Sequence, residues 1–282
     1  VNADSRQVYR GLDIGTAKPA ESERGRVPHH LIDVRGLDSP LDVAEFCALA
    51  RAAIREIAAR GRLILVVGGS GLYLRVLRGG IFCAPPASPE IRERLEKTAS
   101  KLGIGYLHDR LREVDPAAAS RIGYHDLYRI TRALEVFELT GEPISVHQAR
   151  HAFSARDFDS LTVGITMERK ALYENINRRF DAMIAEGLVE EVRGLLAAGY
   201  NPGRPPLSTI GYKHIAAFVR GEMDLAAAAE AAKRDSRRLA KSQMTWFRSD
   251  SEILWVDAER AAQRAFELFR GFFGENRDRP MD

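Results

Sequence analysis

An acid followed by hydrogen-bonding groups, Asp4-Ser5-Arg6-Gln7, stands directly after the short apolar stub Val1-Asn2-Ala3. A carboxylate at a strand end is a natural proton acceptor. The same residue can equally cap a turn or a helix, and its type and position alone leave the two roles level. A second chemical element is Val66-Val67-Gly68-Gly69-Ser70-Gly71 after Leu63-Ile64-Leu65. Its order of strand, glycine turn and helix lets backbone N–H groups approach an anion at a helix N-terminus. A third is cationic. Arg234, Arg237, Arg238 and Lys241 follow i, i+3, i+4, i+7 spacing beside Lys233, with Gln243 and Trp246-Phe247 just beyond. Such a face is often only solvated, but the neighbouring aromatics and amide favour nucleic acid. Together these elements point to phosphate-linked chemistry on a nucleobase or sugar.

The chain that must position these groups has 282 residues, enough for one large domain or a core with a smaller appended one. Hydrophobic residues at 45% and charged residues at 29% are ordinary for a globular protein. No apolar run is long enough for a membrane span and no secretory signal opens the chain, so a cytoplasmic, non-membrane protein is expected. The net charge of +3 is too small to argue by itself for a polyanion partner. Cys47 and Cys83 have no CxxC spacing and read as buried, inert thiols, with no disulfide or zinc site.

Ser39-Pro40-Leu41-Asp42 reads as a cap, a first-turn proline and a capping-box acid ahead of a helix over 44–59, closed at Gly61. A buried strand over 62–67 follows. Strands are also expected at 30–34, 160–167 and 252–256, the pattern of a parallel sheet covered by helices. After the proline-rich joint Ala84-Pro85-Pro86-Ala87-Ser88-Pro89 come three expected helices, starting at Ser88-Pro89, Asp115-Pro116 and Asp126. This gives an α/β core over 1–84, a helical insertion over 85–150, the rest of the core over 151–274, and a disordered polar tail over 275–282. Continuous core helices are the alternative to an insertion. Leu172, Ile176, Phe180 and Met183 form a core stripe in helices broken at Gly187, and a turn-rich segment leads to Ser208-Thr209-Ile210-Gly211-Tyr212-Lys213.

These motifs resemble the tRNA dimethylallyltransferases, in their bacterial form, over nearly the whole chain. The resemblance rests on Asp4 to Tyr9 with Gly11 to Pro19, Val67 to Tyr73, Arg129 to Glu135, Arg179-Phe180 with Met183 and Gly187-Leu188, Ile210 to Lys213, and Leu239-Ala240-Lys241 with Gln243 and Thr245 to Arg248. It implies a P-loop-kinase-like parallel sheet covered by helices, with a helical insertion domain. The implied reaction moves a dimethylallyl group from dimethylallyl diphosphate to the N6 amine of the adenosine 3′ of the anticodon. The absence of cysteine after Cys83 separates the chain from family members with a C-terminal zinc finger.

On the same resemblance Asp4 is the base for the acceptor amine, while Ser70 and Arg179 meet the diphosphate with Mg²⁺. Arg178 is its solvated neighbour. Asp4, Ser5, Arg6, Gln7 and Ser70 would hold the target base. Arg92, Tyr128, Arg129, Ile130, Thr131 and Arg132 would grip the anticodon stem-loop, and Ser208, Thr209, Ile210, Gly211, Tyr212 and Lys213 would read adjoining bases. Arg129 and Arg132 have a competing reading as ion-pair partners of Asp126 and Glu135. A monomer is expected. The chain departs from the family pattern at Ser70, usually threonine, and at Ser242, usually arginine. The family's Gly-x-x-x-x-Gly-Lys-[Ser/Thr] turn precedes the Asp-Ser motif, and Val1 falls after it. On this reading residues 1–282 alone hold tRNA but transfer no prenyl group. Alternatives are a P-loop small-molecule kinase, an adenylate isopentenyltransferase making cytokinin, and a non-catalytic tRNA-binding remnant.

Overall fold

Apolar residues recur at helical spacing after Asp42, and in the computed structural model that stretch buries Phe46, Cys47, Ala50, Ala53, Ile54 and Ile57 along one stripe. The structure describes residues 1–80, 85, 87–151, 158–203 and 205–275. Its helices are α1 (Glu21–Arg24), α2 (Val43–Ala59), α3 (Gly71–Gly79), α4 (Pro89–Leu102), α5 (Ile104–Val114), α6 (Pro116–Ala119), α7 (Leu127–Thr140), α8 (Ile144–His151), α9 (Arg169–Ala185), α10 (Leu188–Ala197), α11 (Tyr212–Val219), α12 (Leu225–Arg248) and α13 (Ala261–Glu275). The strands are β1 (Thr162–Thr166) and β2 (Ile253–Asp257). They group into two compact units, Val1–Leu74 with Asp159–Asp282, and Arg75–Phe158. The second interrupts the first in the chain.

In the first unit β1 and β2 pair in parallel, from Thr162 opposite Ile253 to Thr166 opposite Asp257. Gly164 permits this approach, since a Cβ there would lie 2.7 Å from the Ile253 side chain. Of the other two expected strands, 62–67 keeps a single parallel bridge, Asn2 with Val67, and the bridge of Tyr9 with Arg35 falls just past 30–34. The 30–34 stretch is no strand because Leu31 and Asp33 take positive φ, 65° and 58°, which breaks the pleat. The 62–67 stretch runs beside Val1–Ala3, with Ala3 N–H donating to Val67 O at 2.7 Å and Val67 N–H to Val1 O at 3.0 Å. Its Leu63, Leu65 and Val67 are exposed, where the sequence reading expected a buried strand.

The start of α2 also differs from expectation. Asp42, not Ser39, is its N-cap, accepting from Glu45 N–H at 2.8 Å, while Leu41 N–H donates to the buried Tyr9 hydroxyl and stays outside the helix. Gly187, at φ 106°, separates α9 from α10 as the sequence indicates.

The second unit packs Leu95, Ala99, Leu107, Leu111, Ala118, Ala119, Ile130, Ala133 and Leu134 into one core. It has more helices than the sequence reading expects. Gly103, at φ 87°, cuts the first expected helix into α4 and α5, and Asp115 starts only the single turn α6. The buried Asp115 accepts from Ala118 N–H at 2.8 Å and from Ser145 N–H at 2.9 Å, so one carboxylate ties α6 to α8. Ser88 and Asp126 cap α4 and α7 as expected. Cys83, Ala84, Pro86 and the tail 276–282 lie outside the described residues.

Candidate active site and RNA-facing surfaces

Asp4 sits in a tight turn of its own making. Its Oδ1 accepts from Arg6 N–H at 2.7 Å and Gln7 N–H at 3.3 Å, and Asn2 Oδ1 receives the Asp4 N–H at 3.2 Å. Its other oxygen, Oδ2, makes no hydrogen bond among the described residues. The turn therefore fixes the carboxylate and leaves one basic oxygen, so the capping and proton-accepting roles are compatible. Gln7 is partly committed: its amide donates to the carbonyls of Thr16 and Ala17, both at 3.1 Å.

The glycine turn lies against this loop. Ser70 Oγ accepts from Ser5 N–H at 3.0 Å, and Ser70 N–H donates to Ala3 O at 3.3 Å. Because the Ser70 oxygen accepts, its own O–H is left to donate to an anion. Gly68 has no room for a side chain, since a Cβ would stand 2.2 Å from Ala3 O. From the far side α12 closes in: Gln243 Nε2 donates to Gly69 O at 3.1 Å, and the Trp246 indole occupies the space where a Cβ on Gly71 would point. An open groove along α12 is lined by Arg238, Lys241, Ser242, Thr245 and Trp246. The basic face is real for Arg234, Arg238 and Lys241, which are exposed. Arg237 is half-buried and donates to Asn177 Oδ1 of α9 at 2.6 Å, and Lys233 is held by Asp181 and Glu230.

The 11–19 stretch is pinned by charges. Lys18, almost fully buried, contacts Asp13 and Asp33 and donates to Tyr9 O at 2.8 Å; Arg24 bridges to Asp33 at 2.9 Å. Glu191 on α10 accepts from Ile14 N–H at 2.9 Å and from the Tyr212 hydroxyl. Tyr212 is fully buried, its ring filling the space above Gly15. Burial, with the Glu191 carboxylate beside it, pushes its phenol far up. This corrects its assignment as a base reader, because a buried ring has no face to offer a nucleotide. Ser208, Thr209 and Ile210 are half-buried, Gly211 is buried, and Lys213 reaches out to pair with Asp235 at 2.9 Å.

Arg179 is exposed on α9, and no hydrogen bond among the described residues joins it to Ser70. Beside it Arg178 is also exposed and donates to Asn175.

In the second unit, the candidates on α7 divide by helical phase. Tyr128 is 75% exposed, while Ile130 and Thr131 are buried and face the helical core, which removes them from an RNA-contacting surface. Arg129 keeps 67% of its side chain in solvent and approaches Asp126 at 3.4 Å. Arg92 and Arg132 converge on the fully buried Glu135: Arg92 donates Nε at 2.9 Å and Nη2 at 3.0 Å, Arg132 donates Nη1, and Ser88 N–H adds a bond at 2.8 Å. Burial alone would raise the Glu135 carboxyl, but these donors hold it below its ordinary range. Arg132 also donates to Pro85 O at 2.9 Å. Sequence reasoning treated Glu135 only as a surface partner; a charge in the apolar phase of α7, between Leu134 and Val136, was the signal that it is buried. Glu191 carried no such signal.

Likeness to known proteins decides the family. A sequence model for IPP transferase matches residues 7–250. The chain belongs to the IPP transferase family. It is 48% identical over 273 residues to the tRNA dimethylallyltransferase of Geobacter metallireducens, covering 97% of this chain and 88% of that protein. Among solved structures, the tRNA isopentenylpyrophosphate transferase of Bacillus halodurans superposes with a TM-score of 0.70 at 36% identity, over 97% of this chain and 88% of that one. A eukaryotic dimethylallyltransferase acting on tRNA superposes at 0.80 with 24% identity, over 97% and 72%, and extends the likeness at the level of fold. The chain is a transferase with the P-loop-like fold of these structures, helix-rich around a small parallel sheet. No described helix is long and apolar enough to cross a membrane.

Proposed function

We propose that this protein transfers a dimethylallyl group from dimethylallyl diphosphate to tRNA, at N6 of the adenosine 3′ of the anticodon, and releases diphosphate. The carrying observation is the junction of the Asp4 loop with the glycine turn through Ser5 N–H and Ser70 Oγ, in a chain 48% identical to a protein named tRNA dimethylallyltransferase. The adenine amine is a poor nucleophile because its lone pair is delocalised into the ring. As N6 forms its bond to the allylic carbon, the carbon–oxygen bond to diphosphate breaks and the amine proton passes to Asp4 Oδ2. Charge growing on the diphosphate meets the Ser70 hydroxyl and Arg179. A target base extruded from its loop would pay about a few kcal/mol of unstacking.

Mg²⁺ is expected to arrive with the donor, since a magnesium ion is commonly bound through substrate phosphates with few protein ligands. When bound it would neutralise charge on the leaving diphosphate. On the family resemblance its main protein ligand is the hydroxyl residue of a loop ahead of Asp4. The protein acts in this reading as a cytoplasmic monomer.

The basic groove along α12 favours tRNA over free AMP as acceptor, since a mononucleotide has no use for a row of cations beyond its own phosphate. The test supplies radiolabelled dimethylallyl diphosphate and Mg²⁺ with unmodified tRNA or AMP. Label should enter tRNA. Entry into AMP alone would make the protein an adenylate isopentenyltransferase, and no entry into either would overturn transfer.

A further inference from the structure

We propose that His214 and Asp235 form a lock that positions the 208–213 segment for RNA, holding the Gly211 peptide and the Lys213 ammonium in register with α12. Neither residue belongs to the motifs read above, and the inference rests on the tRNA reading. The lock begins at Gly211, the residue before α11, whose φ of 90° and ψ of −68° are open only to glycine. Its N–H donates to His214 Nδ1 at 3.3 Å, a bond back across the first helical turn. That bond settles the tautomer. With Nδ1 accepting, the ring proton sits on Nε2, which donates to Asp235 Oδ2 at 3.1 Å.

Asp235 is the branching point. The same Oδ2 takes the Lys213 ammonium at 2.9 Å, and Oδ1 lies 3.4 Å from Arg238 Nη1. One carboxylate of α12 therefore ties together the glycine conformation of the segment, its outward cation and the first arginine of the α12 groove. Separate surfaces of a loop and a helix read one RNA only if their spacing is fixed beforehand, because ordering them on binding costs affinity. The charged groups around the His214 ring are Lys213 from α11 and Arg234 and Asp235 from α12. Burial and the two cations favour the neutral ring that the lock requires, against the opposing pull of Asp235.

His214→Phe removes both hydrogen bonds, whereas His214→Gln offers an acceptor and a donor without titrating. Two readouts are taken: hydrogen exchange of the Gly211 amide, and tRNA affinity by filter binding. For His214→Phe, faster Gly211 exchange and at least about tenfold weaker tRNA binding are expected, since two hydrogen bonds are lost and the net worth of one alone is of that order. His214→Gln should recover both. Unchanged Gly211 exchange in His214→Phe overturns the lock, and so does loosened exchange with unchanged tRNA affinity. Should His214→Phe fail to fold, nitrogen-15 correlation spectra of the wild-type imidazole decide: a proton on Nε2 supports the lock and a proton on Nδ1 overturns it. Failure of the wild-type protein to bind tRNA would instead strike the functional reading, while exchange and tautomer still report on the lock.

Discussion

Arg92 and Glu135 meet through two parallel bonds, Nε at 2.9 Å and Nη2 at 3.0 Å, with the carboxylate entirely removed from solvent. The fork orients the guanidinium plane, and Arg132 donates to the same Oε2 that takes Arg92 Nη2, so two cations surround one buried anion. Glu135→Gln would leave both arginines without their counter-charge. A loss of about 3–5 kcal/mol is typical for breaking a buried pair, and the lower end applies here because a third of the Arg92 side chain stays in water. Urea unfolding of wild type and variant measures it; a change below ~1 kcal/mol would mean the cluster is energetically idle.

Arg129 and Arg132 should separate in solution. Arg129→Ala removes an exposed cation, so tRNA affinity should fall and its log–log salt slope flatten by about one, with the unfolding midpoint unmoved. Arg132→Ala should lower stability as well, through Glu135 and Pro85 O. Binding titrations at several salt concentrations, paired with melts, distinguish them; an unchanged slope for Arg129→Ala removes that residue from the RNA surface.

Stability should decline with acid in two stages. His214 is held below its ordinary value near 6.5, first by burial and then by Lys213. Its contribution is complete above 6.5 and is lost as pH falls toward the folded value, where only the unfolded chain takes up the proton. Asp235, lowered chiefly by Lys213, and Glu135 have depressed carboxyls, so their contribution persists above the ordinary values near 3.8 and 4.5 and disappears below them. Urea midpoints across this range report both stages, and His214→Gln should abolish only the upper one.

Gly68 and Gly69 should respond unequally to alanine. A Cβ on Gly68 would sit 2.2 Å from the backbone oxygen of Ala3, so Gly68→Ala must part the Asp4 loop from the glycine turn and should abolish transfer. On Gly69 it meets only the end of the Gln243 side chain, at 2.4 Å, which can turn aside at the cost of its bond to Gly69 O. Gly69→Ala should keep measurable activity. Equal loss in both would show that the close approach at Ala3 does not matter.

Local signals carried much of this architecture into the sequence: the caps at Ser88 and Asp126, the break at Gly187, the parallel strands around Thr162 and Ile253, and the basic face of α12. Long-range pairings carried no such mark. Nothing adjacent to Tyr212 says that Glu191 and Gly15 will enclose it, and the sequence gives no sign that Leu31 and Asp33 take positive φ. Helical phase was legible but unused at Ile130 and Thr131, which fall on the same buried stripe as Ala133 and Leu134. The Asp4 turn and its meeting with the glycine turn show the limit most plainly, since motif order named both segments while the Ser5–Ser70 bond goes with Ala3 reaching Val67 and Ser70.

Asp4→Asn tests the central claim most directly. The amide keeps an oxygen to accept from Arg6 and Gln7, so the turn survives while the basic carboxylate is lost. With dimethylallyl diphosphate, Mg²⁺ and unmodified tRNA, nucleoside mass spectrometry of the wild-type reaction should find N6-dimethylallyladenosine 3′ of the anticodon. The variant should form it about two to four orders of magnitude more slowly, with tRNA affinity and melting temperature nearly unchanged. Full-rate transfer by Asp4→Asn, or modification at any other nucleoside, would contradict the account.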